Sequence, residues 1–290
     1  MFTSTWLPCA RGITAADVTP VFTAYEAFLA EALPRAEEIQ ARRGTPLQPT
    51  GPFPEAAQEA LCRRLSARAG LEATHSRLDR STHPFCGGVP EDVRLTTRYE
   101  TGEFITSLLG AIHETGHGRY EQNLPRDWLG QPLAEARSMA LHESQSLSFE
   151  MQLASHPGFV ALLSPLVRET FGDQPAFEPA NLHRLVTRVQ RGLIRVDADE
   201  VTYPAHIILR YEIERALIEG EIEPDDIPAL WDEKMQAYLG LDTRGDFQNG
   251  CLQDIHWAEG LFGYFPSYAL GHLISAQLTE TMEGEIGPLE

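Results

Sequence analysis

The stretch His113-Glu114-Thr115-Gly116-His117 is the part of this chain best suited to do chemistry. Two histidines four apart on a helix share one face, with about 5–6 Å between their Cβ atoms, and both imidazoles can then reach a single metal ion. The glutamate after the first histidine stands beside the ion's open position as a general base. A catalytic zinc site takes three protein ligands, so a third is required. Glu143, in the next helical run, is a hard anionic donor and completes a two-histidine, one-carboxylate set. Its neighbour His142 is the alternative, better suited to hydrogen bonding behind a ligand or in the core.

Such a set points to metal-assisted hydrolysis. The ion acidifies a water and polarises the scissile carbonyl, while Glu114 takes the water's proton and hands it to the leaving amine. A tetrahedral intermediate needs donors aimed at its oxyanion, and His256, Tyr264 and Tyr268 are candidates by type and clustering. Arg94 and Arg195 can each fork onto a carboxylate, which would favour a peptide with a free C-terminus.

The elements that must position these residues are mostly helical. Helical spacing runs from Thr14 to Arg43, with Thr14 and Asp17 as N-terminal caps and Pro34 as a point of kinking or splitting. It returns over Glu55 to Ala69, Glu103 to Gln122, Leu133 to about Ala154, Asn181 to Leu193, Val201 to Ile218 and from Glu221 through Tyr238. Between them, Val93, Leu95 and Thr97 alternate with Arg94, Thr96 and Arg98, which predicts a strand or hairpin just before the metal helix. This strand caps the core at an edge or pairs with an extended peptide substrate.

Composition narrows the setting. A chain of 290 residues that is 42% hydrophobic forms one large domain or two ordinary ones. A formal charge of −19 with no long basic run argues against nucleic acid as a partner. No apolar run of about 20 residues is present, so no membrane span is expected. Cys9, Cys62, Cys86 and Cys251 form no C-x-x-C pair, and with no signal segment visible the expected location is the cytoplasm.

Several motifs occur together and in order: Thr82-His83-Pro84-Phe85, Asp92-x-Arg94-x-Thr96, His113-Glu114-x-x-His117, His142-Glu143-Ser144-Gln145, Ile194-Arg195-x-x-Ala198-Asp199 and Gly250-x-x-Gln253-Asp254-x-His256-Trp257. The sequence thereby resembles the thermostable carboxypeptidase Taq family of zinc metallocarboxypeptidases. The resemblance implies a mainly α, zincin-like catalytic core with a small β-hairpin or sheet beside the metal helix. It implies one zinc, replaceable by cobalt, held by His113, His117 and Glu143, with Glu114 as base and His256 and Tyr264 lining the catalytic cleft. Arg94, Arg195, His83 and Tyr268 would bind substrate, a peptide with a free C-terminus trimmed with broad specificity, usually by a homodimer. The resemblance covers residues 14–278, leaving 1–13 as an unmatched extension and 279–290 as a truncated tail. Relatives are longer at both ends, and after Trp257 the chain reads Ala258-Glu259-Gly260-Leu261 where His and Ser are expected. The competing expectation is a truncated zinc-binding remnant without turnover, acting through association with another chain.

Overall fold

A computed structural model describes residues 12–82 and 84–288, and the expectation for His83 lies outside them. The fold is mainly α with one small sheet. Backbone contacts group the described residues into two units. One holds Pro46–Arg137, Leu141–Thr187 and Gly271–Glu290; the other holds the described part of Met1–Thr45 with Ser138–Ala140 and Arg188–Leu270.

The first unit is built on a helix pair and a sheet. Helix α2 (Glu55–Arg68) precedes strands β1 (Ser76–Arg80), β2 (Phe85–Val89) and β3 (Asp92–Thr97), and helix α3 (Ile105–Gln122) follows. The strand order is β1-β3-β2, with β1 parallel and β2 antiparallel to β3. Val93, Leu95 and Thr97 are buried beneath α3 as expected, but Thr96 of the alternate set is buried too, so the alternation holds only in part. Because β3 is the central strand, both its hydrogen-bonding edges are taken, so it cannot pair with a peptide substrate. β1 escaped the sequence reading because its pairing is parallel and non-local.

Phe104 centres the core of this unit, its ring 5.0 Å from those of Phe53 and Phe171 and 5.8 Å from Phe177, with Leu108 and Ile112 of α3 beside it. The second metal-bearing run differs from expectation. Pro132–Ala134 is a single 3-10 turn, Glu135 is extended, and the backbone N–H of Arg137 donates to Tyr120 Oη. Helix α4 therefore starts only at Met139 and runs to Leu147, then widens into a π turn over Ser148–Leu153. Helices α5 (Pro157–Phe171) and α6 (Pro179–Val186) follow. Helix α6 ends short of the expected Leu193, because the next backbone N–H groups go to side chains: Val189 to Gln40 and Gln190 to Asp199.

The other unit is organised on α1 (Ala15–Arg43) and α7 (Tyr203–Glu219), with α8 (Ile227–Leu239). The Asp17 carboxylate accepts from Thr14 N–H and Oγ1–H, and α1 runs unbroken through Pro34. Val18 and Phe22 of α1 pack on Ile207 and Tyr211 of α7, while Leu29 and Leu33 meet Leu209, Trp231 and Met235. α9 (Pro266–Ile286) begins in this unit, and its part from Gly271 onward belongs to the first. Neither α5 nor α9 was anticipated from the spacing.

Candidate metal centre

Each residue of the His113–His117 stretch has a neighbour that explains its type. Thr115 is fully buried and donates to Ser66 Oγ of α2. Gly116 faces α4, where a Cβ would stand 2.6 Å from both Gln145 O and Ser146 Cα. Gly118 faces the sheet, where a Cβ would meet Leu71 Cδ1 at 2.9 Å. Gly116 thus lets α4 approach closely enough for Glu143 to reach the histidines, while Gly118 lets α3 settle on the sheet.

The ligand atoms of His113, His117 and Glu143 all lie within 4.8 Å of one another. Glu143 Oε2 is 3.3 Å from His117 Nε2, and Oε1 is 3.9 Å from His113 Nε2. These are the atoms a single cation would draw together.

The far nitrogens of both rings are engaged. His113 Nδ1 donates to Glu150 Oε2 at 2.7 Å. His117 Nδ1 lies 2.6 Å from His142 Nδ1, and His142 Nε2 lies 2.7 Å from Glu121 Oε1. One proton arrangement satisfies the second chain: His142 gives its Nε2–H to Glu121 and accepts His117 Nδ1–H, leaving the His117 Nε2 lone pair for a cation. With both ring nitrogens occupied, His142 has none for a metal. Glu150, in the π turn that follows α4, escaped the sequence reading.

Electrostatics suits a cation. Burial works against a charged His113, but the carboxylates of Glu143 and Glu150 outweigh it and hold its pKa at about 10. The negative potential that retains a proton there is available to a divalent ion. Burial lowers the pKa of His117, with the charges of His113 and His142 adding to the effect. Glu114 is 4% exposed, and its Oε2 makes no hydrogen bond to the described residues. Burial, then the charges of Glu143 and Glu150, raise its pKa to about 7 against the opposing pull of His113. The three-donor set, the oriented rings and this unengaged carboxylate oxygen fit a divalent cation. Electrostatics also marks His272 of α9, a buried imidazole that feels Glu150 and Glu143 and that the sequence reading passed over.

Arg94 does not join this group. It projects from the face of β3 opposite to Val93 and Leu95, and it pairs with Asp92. The other expected residues gather within the second unit. Arg195 donates to Asp254 Oδ1 from Nε at 3.0 Å and Nη2 at 2.7 Å, and its guanidinium lies 5.0 Å from the Tyr268 ring centroid. His256 Nε2 is 3.0 Å from Tyr268 Oη, and the Tyr264 ring lies 5.5 Å from the imidazole. Burial, then the charge of Arg195, lower the His256 pKa to about 4, so this imidazole is neutral at pH 7.

The sequence model of the "Carboxypeptidase Taq (M32) metallopeptidase" family matches residues 8–290. The chain belongs to that family. It is 40% identical over 280 residues to thermostable carboxypeptidase 1 of Thermus thermophilus, a match covering 96% of this chain and 54% of that protein. It is 42% identical over 237 residues to carboxypeptidase 1 of Bacillus subtilis, covering 80% of this chain and 47% of that one. The structure of Trypanosoma cruzi metallocarboxypeptidase 1 superposes with a TM-score of 0.93 at 49% identity, covering 96% of this chain and 58% of that chain. This member of the M32 family thus spans about half the length of the relatives it matches. Among its described residues, no helix is long and apolar enough to cross a membrane.

Proposed function

We propose that this chain is a metal-dependent carboxypeptidase that removes C-terminal residues from peptides with broad specificity. The observation that carries the reading is the convergence of His113, His117 and Glu143 beside a buried Glu114 whose Oε2 is unengaged. These three residues would hold one zinc ion, or cobalt in its place. When bound, such an ion supplies Lewis acidity, polarising a carbonyl and acidifying water.

The chain's own residues do the rest. Glu114, buried with its Oε2 unengaged, is the group to take a proton from the attacking water and return it to the departing amine. Glu150 and the His142–Glu121 pair fix the orientation and tautomer of the two histidines. Arg195 would grip the terminal carboxylate through donors that Asp254 leaves over, with Arg94, paired to Asp92, as the alternative. Neutral His256 with Tyr264 and Tyr268 offers hydrogen bonds to the substrate.

The test is to load the chain with zinc or cobalt and supply an N-blocked dipeptide as free acid and as C-terminal amide. Release of the terminal residue from the acid, and much slower release from the amide, is the expected result. No release from folded, metal-loaded protein rejects the reading, and stoichiometric metal without turnover assigns a metal-binding remnant instead. A homodimer belongs to the same proposal and is checked by sedimentation velocity.

A further inference from the structure

Arg210 of α7 is a fully buried arginine, with its side chain 1% exposed, that the proposed chemistry does not use. Its Nε donates to Asp254 Oδ2 at 2.8 Å and its Nη2 lies 2.6 Å from the same oxygen. Asp254 Oδ1 receives Arg195 Nε and Nη2. One carboxylate therefore holds two guanidiniums, one on each oxygen. Arg210 is itself fixed: Nη1 donates to His206 O at 2.6 Å, and the guanidinium lies 4.5 Å from the Trp231 ring centroid and 5.3 Å from that of Phe265.

This arrangement is costly to maintain. Burial, with the like charge of Arg195 adding, pulls the Arg210 pKa down to about 10 against the attraction of Asp254. Two cations facing one carboxylate in the interior are weak stabilisers compared with packed apolar side chains. A side chain so enclosed cannot touch a ligand, so any contribution to recognition must pass through Asp254.

Arg195 is the receiving end. Its side edge, Nε and Nη2, is taken by Asp254, and Nη1 donates to Tyr203 Oη at 3.2 Å. These bonds leave one N–H on each terminal nitrogen, donors that remain for a second carboxylate. Which way those N–H groups face depends on the plane of Asp254, which Arg210 holds from the opposite oxygen.

We infer that Arg210 is a positioning residue for substrate recognition: through Asp254 it fixes Arg195 so that the N–H groups Asp254 leaves over are presented to the terminal carboxylate of a peptide. The inference rests on the reading of Arg195 as the carboxylate-binding residue. Lysine at 210 would keep the charge and lose the ring-held, planar Nε donor to Asp254 Oδ2, leaving the Asp254 plane unfixed.

The experiment measures binding of an uncleaved probe, an N-blocked peptide ending in a D-residue, as free acid and as amide, to the full chain by calorimetry. The parent should prefer the acid, and Arg210→Lys should lower that preference about tenfold through weaker binding of the acid alone. In an Arg195→Gln background, Arg210→Lys should have no further effect on the acid-to-amide ratio, which a general loss of stability would not reproduce. Asp254→Asn, which keeps both arginines and removes the bridge, should give the same signature and serves if Arg210→Lys fails to fold. A parent that binds acid and amide alike overturns the carboxylate reading and this inference with it. A discriminating parent whose Arg210→Lys variant discriminates equally overturns the inference alone, as does failure of both bridge variants to fold.

Discussion

Gly116 of α3 and Ser146 of α4 approach so closely that a methyl group on Gly116 would stand 2.6 Å from the Ser146 Cα. The contact is backbone against backbone, so no rotamer change relieves it, and it lies three residues from Glu143 on α4 and next to His117 on α3. The separation of the two helices, and with it the reach of Glu143 to the histidines, is set here. Gly116→Ala should therefore push α4 outward, costing about 1–3 kcal/mol in stability and weakening divalent-metal binding. Urea midpoints and competition with a chromophoric chelator measure the two effects. An alanine variant with unchanged metal affinity would show that helix spacing does not govern the site.

Glu150 acts on His113 through charge as well as through a hydrogen bond, and the two separate by substitution. Glutamine keeps an acceptor for His113 Nδ1–H but removes the negative charge. Glu150→Gln should weaken zinc binding by about 10-fold and Glu150→Ala by closer to 100-fold, at one ion per chain. Affinity within twofold of the parent for both would remove Glu150 from the site's design.

His142 and Glu143 are adjacent in sequence and sharply different in expected behaviour. Phenylalanine at 142 leaves His117 Nδ1–H without its acceptor but touches no ligand atom, so His142→Phe should still bind one zinc, about tenfold more weakly. Glu143→Ala removes a ligand and should lose far more. Equal losses in equilibrium titrations of the two variants would mean that His142 belongs to the ligand set.

What the sequence disclosed follows the range of the interactions involved. The His113–His117 pair was legible because its geometry is local to one helix. Glu143 was legible because a two-histidine site lacks a hard third donor. Glu150 was harder, since its contact depends on the π turn over Ser148–Leu153, where Ala154 N–H bonds to Phe149 O instead of one residue later. The Arg195–Asp254–Arg210 cluster joins three distant segments, so no spacing announces it. Its one local trace is the run of His206, Arg210 and Glu214 every fourth residue through an otherwise largely apolar α7, a polar stripe that only burial on all sides makes informative. β1 and the early end of α6 were hidden for the same reason: a non-local strand pairing and side-chain capture of backbone N–H groups decide them.

Glu214, last of that stripe, gives a pH signature of its own. It is fully buried and accepts from Trp257 Nε1 at 2.8 Å and from Gly263 N at 3.1 Å. Burial outweighs these two donors and the charge of Arg210, raising its pKa from the ordinary 4.5 to about 7. Between those values the folded chain retains a proton that the unfolded chain has released. Stability from this group is therefore fully present below pH 4.5, falls as pH rises toward 7, and is flat above, a change on the order of 2–3 kcal/mol. Glu214→Gln has no proton to lose. Whatever its cost at pH 4.5, the stability difference between parent and variant should move in the variant's favour by that amount on raising the pH to 8, as read from urea unfolding at both values. A difference that stays constant, or grows in the parent's favour, would mean that Glu214 is ionised throughout and that its two donors outweigh its burial.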